Sequence, residues 1–214
     1  MIAIIGILAA IIIPTVGKVR ESARASQCLS NLRQVSMAFG LYANDNKGAL
    51  PRSNVPVSWQ IAIKNYLPIN GNVVNNKVYL CPSAPQPPEG YDQSVTHFPV
   101  SFVVEAGNSA TTASGSGGNG PRNLSTVPNP SRAILLVDGW VNPTTYRASN
   151  SRTYTLVKAD FDQPTYTDES AFRSVSFRHG GNMNAAYVDG HAARIPWVER
   201  YNAIPDAQTW AGRR

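Results

Sequence analysis

The sequence predicts an α+β fold: a long N-terminal α-helical spine packed on an antiparallel β-sheet head. Three observations predict it. Residues 1–17 carry no ionised side chain, and the first one is Lys18. Beyond Lys18, apolar residues recur at helical spacing up to a polar stop at residues 44–48. The remainder alternates short apolar runs with clusters of Gly, Pro, Asn and Ser, the punctuation of strands and turns. A chain of 214 residues with 43% hydrophobic content can bury a core without obligatory metals or disulfides. Charged residues make up 15%, against about 25% in a typical soluble domain. Asparagine and serine each outnumber the 16 glycines, giving the uncharged polar surface common in secreted and cell-surface proteins. The net charge of +6 comes from scattered basic residues, with no Lys/Arg block interleaved with aromatics. Nucleic acid is therefore not an expected partner.

The first element runs MIAIIGILAAIIIPTVG from Met1 to Gly17. It amounts to roughly 25 Å of helix, short of the ~20 residues that span a bilayer comfortably. A cleaved secretory signal would need Lys or Arg ahead of the apolar run. As a core helix, Ile2, Ile4, Ile5, Ile7, Ile11, Ile12 and Ile13 would leave no polar face for solvent. The favoured reading is a membrane helix whose first residues precede Met1. The helix continues amphipathically: Cys28, Leu32, Val35, Phe39 and Tyr42 form a stripe, with Arg24, Asn31, Gln34 and Ala38 mostly off it. Asn44 to Gly48 supplies the stop, Gly48 being suited to a left-handed conformation. One helix of about forty residues, some 60 Å long, results. Pro14 removes a backbone donor and is expected to kink it, with Gly6 and Gly17 as further soft points.

The chain then divides into a membrane-type helix segment (1–17), an amphipathic continuation (18–48) and a β-rich head (49–214) with a flexible loop near 107–130. Trp59 to Leu67 reads as a short helix closed by Pro68. Lys77 to Cys81, Val100 to Glu105, Ala133 to Asp138 and Arg152 to Val157 read as strands. Val175, Phe177 and His179 alternate with polar residues as a half-buried strand. After a turn at 180–182 follow a strand from Met183 to Val188, a tight Asp189-Gly190 turn and a strand from His191 to Ile195.

Candidate chemistry is sparse. His97, His179 and His191 are the three histidines. Asp138, His179, Asp189 and His191 could hold a divalent metal if two turns converged. The reading ranked above it has Asp189 bonding turn amides while His179 braces the neighbouring strand. Asp160, Asp162, Asp168 and Glu169 offer oxygen ligands for a structural calcium, but their spacing fits no EF-hand, so no cofactor is expected. No GxSxG, phosphate-cradling loop or reactive cysteine motif is present, and an enzyme is not expected.

Two stretches and one spaced signature carry a resemblance. AIIGILAAIIIP resembles the N-terminal helix of type IV pilins and type II secretion pseudopilins, and SQCLSNLRQVSMAFGLYANDNKGALP is similar to the next stretch of prepilin-like proteins. The C-terminal signature of such proteins, His, nine residues, then Asp-Gly, is matched by His179, GGNMNAAYV, Asp189 and Gly190. The match is strong at both ends and weak in the middle. The family's basic leader, with Gly before the cleavage point and then Phe and Glu, is not in the sequence given. The resemblance implies a structural subunit, single-pass in the inner membrane with its head outside the cytoplasm, later extracted into a periplasmic or cell-surface filament. Ile2, Ile4, Ile5, Gly6, Ile7, Leu8, Ile11, Ile12, Ile13 and Pro14 would form the membrane or filament core. Implied partners are further copies of the chain, other pilin-like subunits, a prepilin peptidase and an energised assembly platform. Lys18, Arg20 and Arg24 taken alone would bias their side towards the cytoplasm. Outside the cytoplasm Cys28 and Cys81 would be an even pair open to bridging, stabilising by ~4 kcal/mol in the chain-entropy model. Two buried thiols are the alternative. Two other functions stay behind the structural one: a surface module binding glycan or a secreted substrate through Trp59, Trp140, Trp197 and Trp210, and a metal-dependent enzyme.

Overall fold

The structure is a computed structural model that describes residues 2–51, 59–69, 76–86, 88, 102–104, 123–127, 129–139 and 176–199. Helix α1 (Ile2–Asp45) is followed by α2 (Trp59–Ala62) and the strands β1 (Phe102–Val104), β2 (Ile134–Asp138), β3 (Asn182–Tyr187) and β4 (Ala192–Pro196). The strands form one antiparallel sheet in the order β1-β2-β3-β4. Asp138 pairs with Phe102, Val137 with Ala185, and Ala186 with Ala192, while a register shift interrupts β2–β3 between Ile134 and Leu136. The architecture is α+β, as the sequence predicts.

The second half of α1 packs against β2, β3 and β4. Ala25, Cys28, Leu32, Val35, Phe39 and Ala43 are buried, and Tyr42 packs partly against the same core. The buried face is wider than the predicted stripe, because Asn31, Ser36 and Ala38 also lie within it. Each polar member has a purpose there. The Asn31 amide donates to the carbonyls of Lys77 and Leu80, both at 3.1 Å, and the Ser36 hydroxyl donates to the Tyr187 carbonyl. Trp59, fully buried, stands 5.4 Å from Phe39 and edge-on to Tyr79 at 5.6 Å, closing the core below the helix. Burying a Leu or Phe in this way stabilises by roughly 1.5–3 kcal/mol.

The helix ends as its sequence dictates. Gly48 takes φ 84° and its N–H reaches back to the Ala43 carbonyl. The positive φ favours glycine, and a Cβ there would meet the Asn123 side-chain amide, which is itself held by bonds to Lys47 and Ser125. Asn123 in turn donates to the Lys47 carbonyl, and Leu124 N–H to the Gly48 carbonyl, fastening the helix end to the head.

The first half of α1 is different. Ile4, Ile5, Ile7, Leu8, Ile11, Ile12, Ile13, Val16 and Val19 are all exposed, Ile13 to 72%. Pro14 lies inside the helix, and the Thr15 hydroxyl donates to the Ile12 carbonyl beside it. Among the described residues no helix is long and apolar enough to cross a membrane.

Two strand expectations and one helix expectation need correction. Lys77–Tyr79 is a 3-10 turn rather than a strand, because Asn76 accepts a bond from Val78 N–H and Asn31 takes the carbonyls that a neighbouring strand would use. Residues 176–179 are not a strand either. Ser176 N–H bonds the Asp138 carbonyl, but His179 and Asn182 exchange backbone bonds around Gly180 and Gly181, both at positive φ. Phe177 and His179 are nonetheless buried, as their alternation implies. The expected helix at 59–67 is split into α2 and a 3-10 turn at Lys64–Tyr66. The expected strand from Arg152 to Val157 and most of the loop at 107–130 lie outside the described residues.

Candidate functional site

Four buried side chains converge where the helix meets the head. Cys28 projects from the middle of α1, Cys81 follows the Lys77–Tyr79 turn, Asp138 ends β2, and His179 opens the turn into β3. Cys28, Cys81 and Asp138 have no exposure, and His179 has 3%. One ligand-type atom from each lies within 4.8 Å of those of the other three. The Cys28 thiol donates to Asp138 Oδ1 at 3.1 Å, and Asp138 Oδ2 accepts the Asn184 N–H at 2.7 Å. His179 Nε2 is 3.4 Å from Cys81 Sγ and 3.3 Å from Asp138 Oδ2. Its other nitrogen, Nδ1, is buried without a hydrogen bond and faces Glu21 Oε1 at 3.6 Å. Glu21 is held in place by the Ser83 hydroxyl, which donates to the same Oε1 at 2.9 Å.

The sequence places these groups for local reasons. Cys28 is one member of the apolar helix stripe, so the packing that buries Leu32 and Val35 buries it too. Asp138 follows the apolar run of β2, and its carboxylate bonds the first inward turn of β3 through Asn184 N–H. Gln86 donates to the Cys81 carbonyl and fixes the loop that carries that thiol.

Crowding sets the protonation of the cluster. The hydrogen bond with Cys81, burial and the nearby Asp138 carboxylate all push the Cys28 thiol up. The neighbouring Cys28 thiol pulls Cys81 down against its burial, with help from His179. Burial pulls His179 down, but its contacts with Asp138 and Cys81 outweigh that and lift it to about 9.

The structure divides the predicted metal candidates. Asp138 and His179 sit in the buried cluster. Asp189 and His191 form a separate exposed pair at 2.6 Å, and Asp189 Oδ1 also accepts the His191 N–H. The reason is geometric: β3 lies between His179 and Asp189, and a six-residue strand is about 20 Å long. The nine-residue spacing of the signature is thus the length of one strand with a turn at each end. Gly190, at φ 89°, completes the second turn, and His191 stacks on Tyr187 at 4.1 Å. The four residues named from sequence therefore do not converge around an open cavity.

No family model, curated protein or solved structure matches the chain. Function here rests on the molecule's own features.

Both cysteines are free thiols and both belong to the cluster, a juxtaposition that the sequence raised only as a bridge between them. Sequence reasoning missed the joining of that pair with Asp138 and His179. The available signal was four buriable ligand residues: Cys28 on the apolar helix stripe, and Cys81, Asp138 and His179 each at the end of a predicted strand. Of the four tryptophans, Trp59 is buried in the core and Trp197 packs edge-on against Phe177 at 4.8 Å. Trp140 and Trp210, and the acidic residues Asp160, Asp162, Asp168 and Glu169, lie outside the described residues, as does His97.

Proposed function

We propose that the chain is a structural subunit of a pilin-like filament of the type IV pilus or type II secretion pseudopilus kind, held at the inner membrane by the start of α1 before assembly. The observation that carries this reading is the division of one continuous helix. Its second half is the backbone of the head's core, while its first half presents Ile4 to Val19 to no other part of the described chain. Monomeric soluble proteins rarely leave so large an apolar surface bare, and such a surface marks a lipid or protein contact. The resemblance of residues 3–14 to pilin helices, and of His179, Asp189 and Gly190 to the prepilin-like signature, points the same way.

The physical scheme follows from burial. In the membrane, Ile4 to Ile13 contact lipid; in the filament, they contact the same segment of neighbouring copies and of other pilin-like subunits. Lipid tails are as apolar as isoleucine, so the exchange gains little from hydrophobicity and relies on packing. Assembly consequently calls for an energised platform, and the proposed route includes a prepilin peptidase that processes the N-terminus. The head then lies in the periplasm or at the cell surface. A glycan-binding role is less well supported, since Trp59 and Trp197 serve the core rather than an exposed aromatic patch.

Photo-cross-linking tests the proposal. A photoreactive residue at Ile12 should give adducts between copies of the chain in cell envelopes, whereas the same residue at Arg33, on the solvent side of the packed half, should give few. Equal yields at the two positions, or no chain-to-chain adduct at Ile12, would contradict assembly through the helix.

A further inference from the structure

We propose that Cys28, Cys81, Asp138 and His179 form a closed four-ligand site for a structural Zn2+ that ties the helical spine to the head. This inference goes beyond the filament reading and does not depend on it. The donor set is two thiolates, an imidazole and a carboxylate, which suits a borderline-soft tetrahedral cation and disfavours Ca2+ or Mg2+, whose ligands are oxygens.

The four groups lie within 4.8 Å of one another, and three of their contacts approach the separations of a coordination shell, with Asp138 turning Oδ2 to His179 and Oδ1 to Cys28. With metal–ligand bonds of about 2.0–2.3 Å, neighbouring ligands of a tetrahedron stand about 3.3–3.8 Å apart. Cys81 Sγ to His179 Nε2 is 3.4 Å, His179 Nε2 to Asp138 Oδ2 is 3.3 Å, and Cys28 Sγ to Asp138 Oδ1 is slightly tighter at 3.1 Å. All four come from separate segments of the chain and all are buried. Four protein ligands leave no open position for substrate, so the site is structural rather than catalytic.

An independent observation lies one shell out. A metal-bound histidine usually gives its second ring N–H to a carboxylate, which orients the ring. His179 Nδ1 is a buried nitrogen with no hydrogen bond, and it faces Glu21 Oε1 at 3.6 Å, with Glu21 anchored by Ser83. Glu21 belongs to α1, so the outer sphere draws on the same helix as Cys28. A disulfide is the competing arrangement. It would remove the Cys28 thiol proton that Asp138 Oδ1 accepts, leaving that oxygen without its partner, while Asp138 Oδ2 would keep His179 and the Asn184 N–H.

The test uses the full chain in detergent, reduced and freed of metal by a chelator, and titrated with Co2+ alone. One Co2+ per chain should bind with the intense visible absorption of a tetrahedral thiolate complex, and one equivalent of Zn2+ should erase it. His191→Ala, outside the cluster, should bind as the wild type does. Cys81→Ser should lose the sulfur-to-cobalt band. Should that variant fail to fold, Glu21→Gln keeps the test decisive: it should retain the stoichiometry and weaken Zn2+ binding by about 10–100-fold. A folded wild-type chain that shows no saturable one-to-one Co2+ binding would overturn the site. So would wild-type Zn2+ affinity in Glu21→Gln together with Cys81→Ser. A Cys28–Cys81 disulfide found by non-reducing mass spectrometry in metal-free protein taken from cell envelopes would replace the zinc with a covalent staple.

Discussion

The two halves of α1 share one backbone but answer to different surroundings. Residues 4–20 are exposed almost without exception, and their apolar side chains surround the helix. Residues 25–43 bury one broad face, and the polar groups on that face all find partners in the head or the buried cluster. The contrast shows that helix formation and burial are separate events in this chain. Hydrogen bonding along the backbone keeps both halves helical, but only the second half gains tertiary packing, which ordinarily supplies most of a helix's stability. The first half must obtain its packing from outside the described fold, and the proposed membrane and filament contacts are where it would do so.

Charge placed in each half separates the two most sharply. Ile7→Asp with Ile12→Asp should abolish membrane retention and copy-to-copy cross-linking while the melting temperature of the head stays within a few degrees. Val35→Asp should do the reverse, unfolding the head by burying an unpaired carboxylate, with a loss of several kcal/mol. Thermal melts and envelope fractionation read both outcomes. Truncation gives a gentler version of the same comparison: Leu32→Ala should cost about 2–5 kcal/mol in chemical denaturation, and Ile12→Ala within about 0.5 kcal/mol.

The junction between helix and head comes next in size. Gly48→Ala should destabilise by roughly 1–3 kcal/mol, because the residue is held at positive φ with its Cβ position already taken by the Asn123 side chain. A denaturation midpoint unchanged by that substitution would show that the helix end is free of the head. The smallest effect belongs to the exposed turn. Asp189→Ala should cost on the order of 0.5–1.5 kcal/mol through its lost turn bond. Burial pushes the Asp189 carboxyl up, but the bonds from the His191 backbone and ring, with its charge, hold it below 3.8. A carboxyl depressed on folding contributes stability above its unfolded value and loses it as pH falls through the folded one. The difference between wild type and Asp189→Ala should therefore shrink below about pH 4.

These comparisons also show what a reader of the sequence could see. The helix was legible throughout, because its first half is apolar all round and its second half repeats every three or four residues. Strands β2, β3 and β4 were legible from apolar runs bounded by Pro, Gly and Asp-Gly. Residues 77–81 were misread because KVYLC has the composition of a strand, while its conformation is fixed by Asn31, a residue 46 positions away from Lys77. The cluster was misread for a related reason. His179 and Asp189 are close in sequence, yet a strand holds them apart, whereas Cys28 lies 110 positions from Asp138 and touches it. Local pattern reveals which side chains will be buried; which of them meet is decided by how the helix crosses the sheet.

Fractionation of cells making the intact chain tests the central claim most directly. The account predicts that the chain sediments with the inner membrane, resists salt and is released by detergent, because the first half of α1 lacks any cover within the described head. A chain recovered from the soluble fraction as a detergent-free monomer would contradict it.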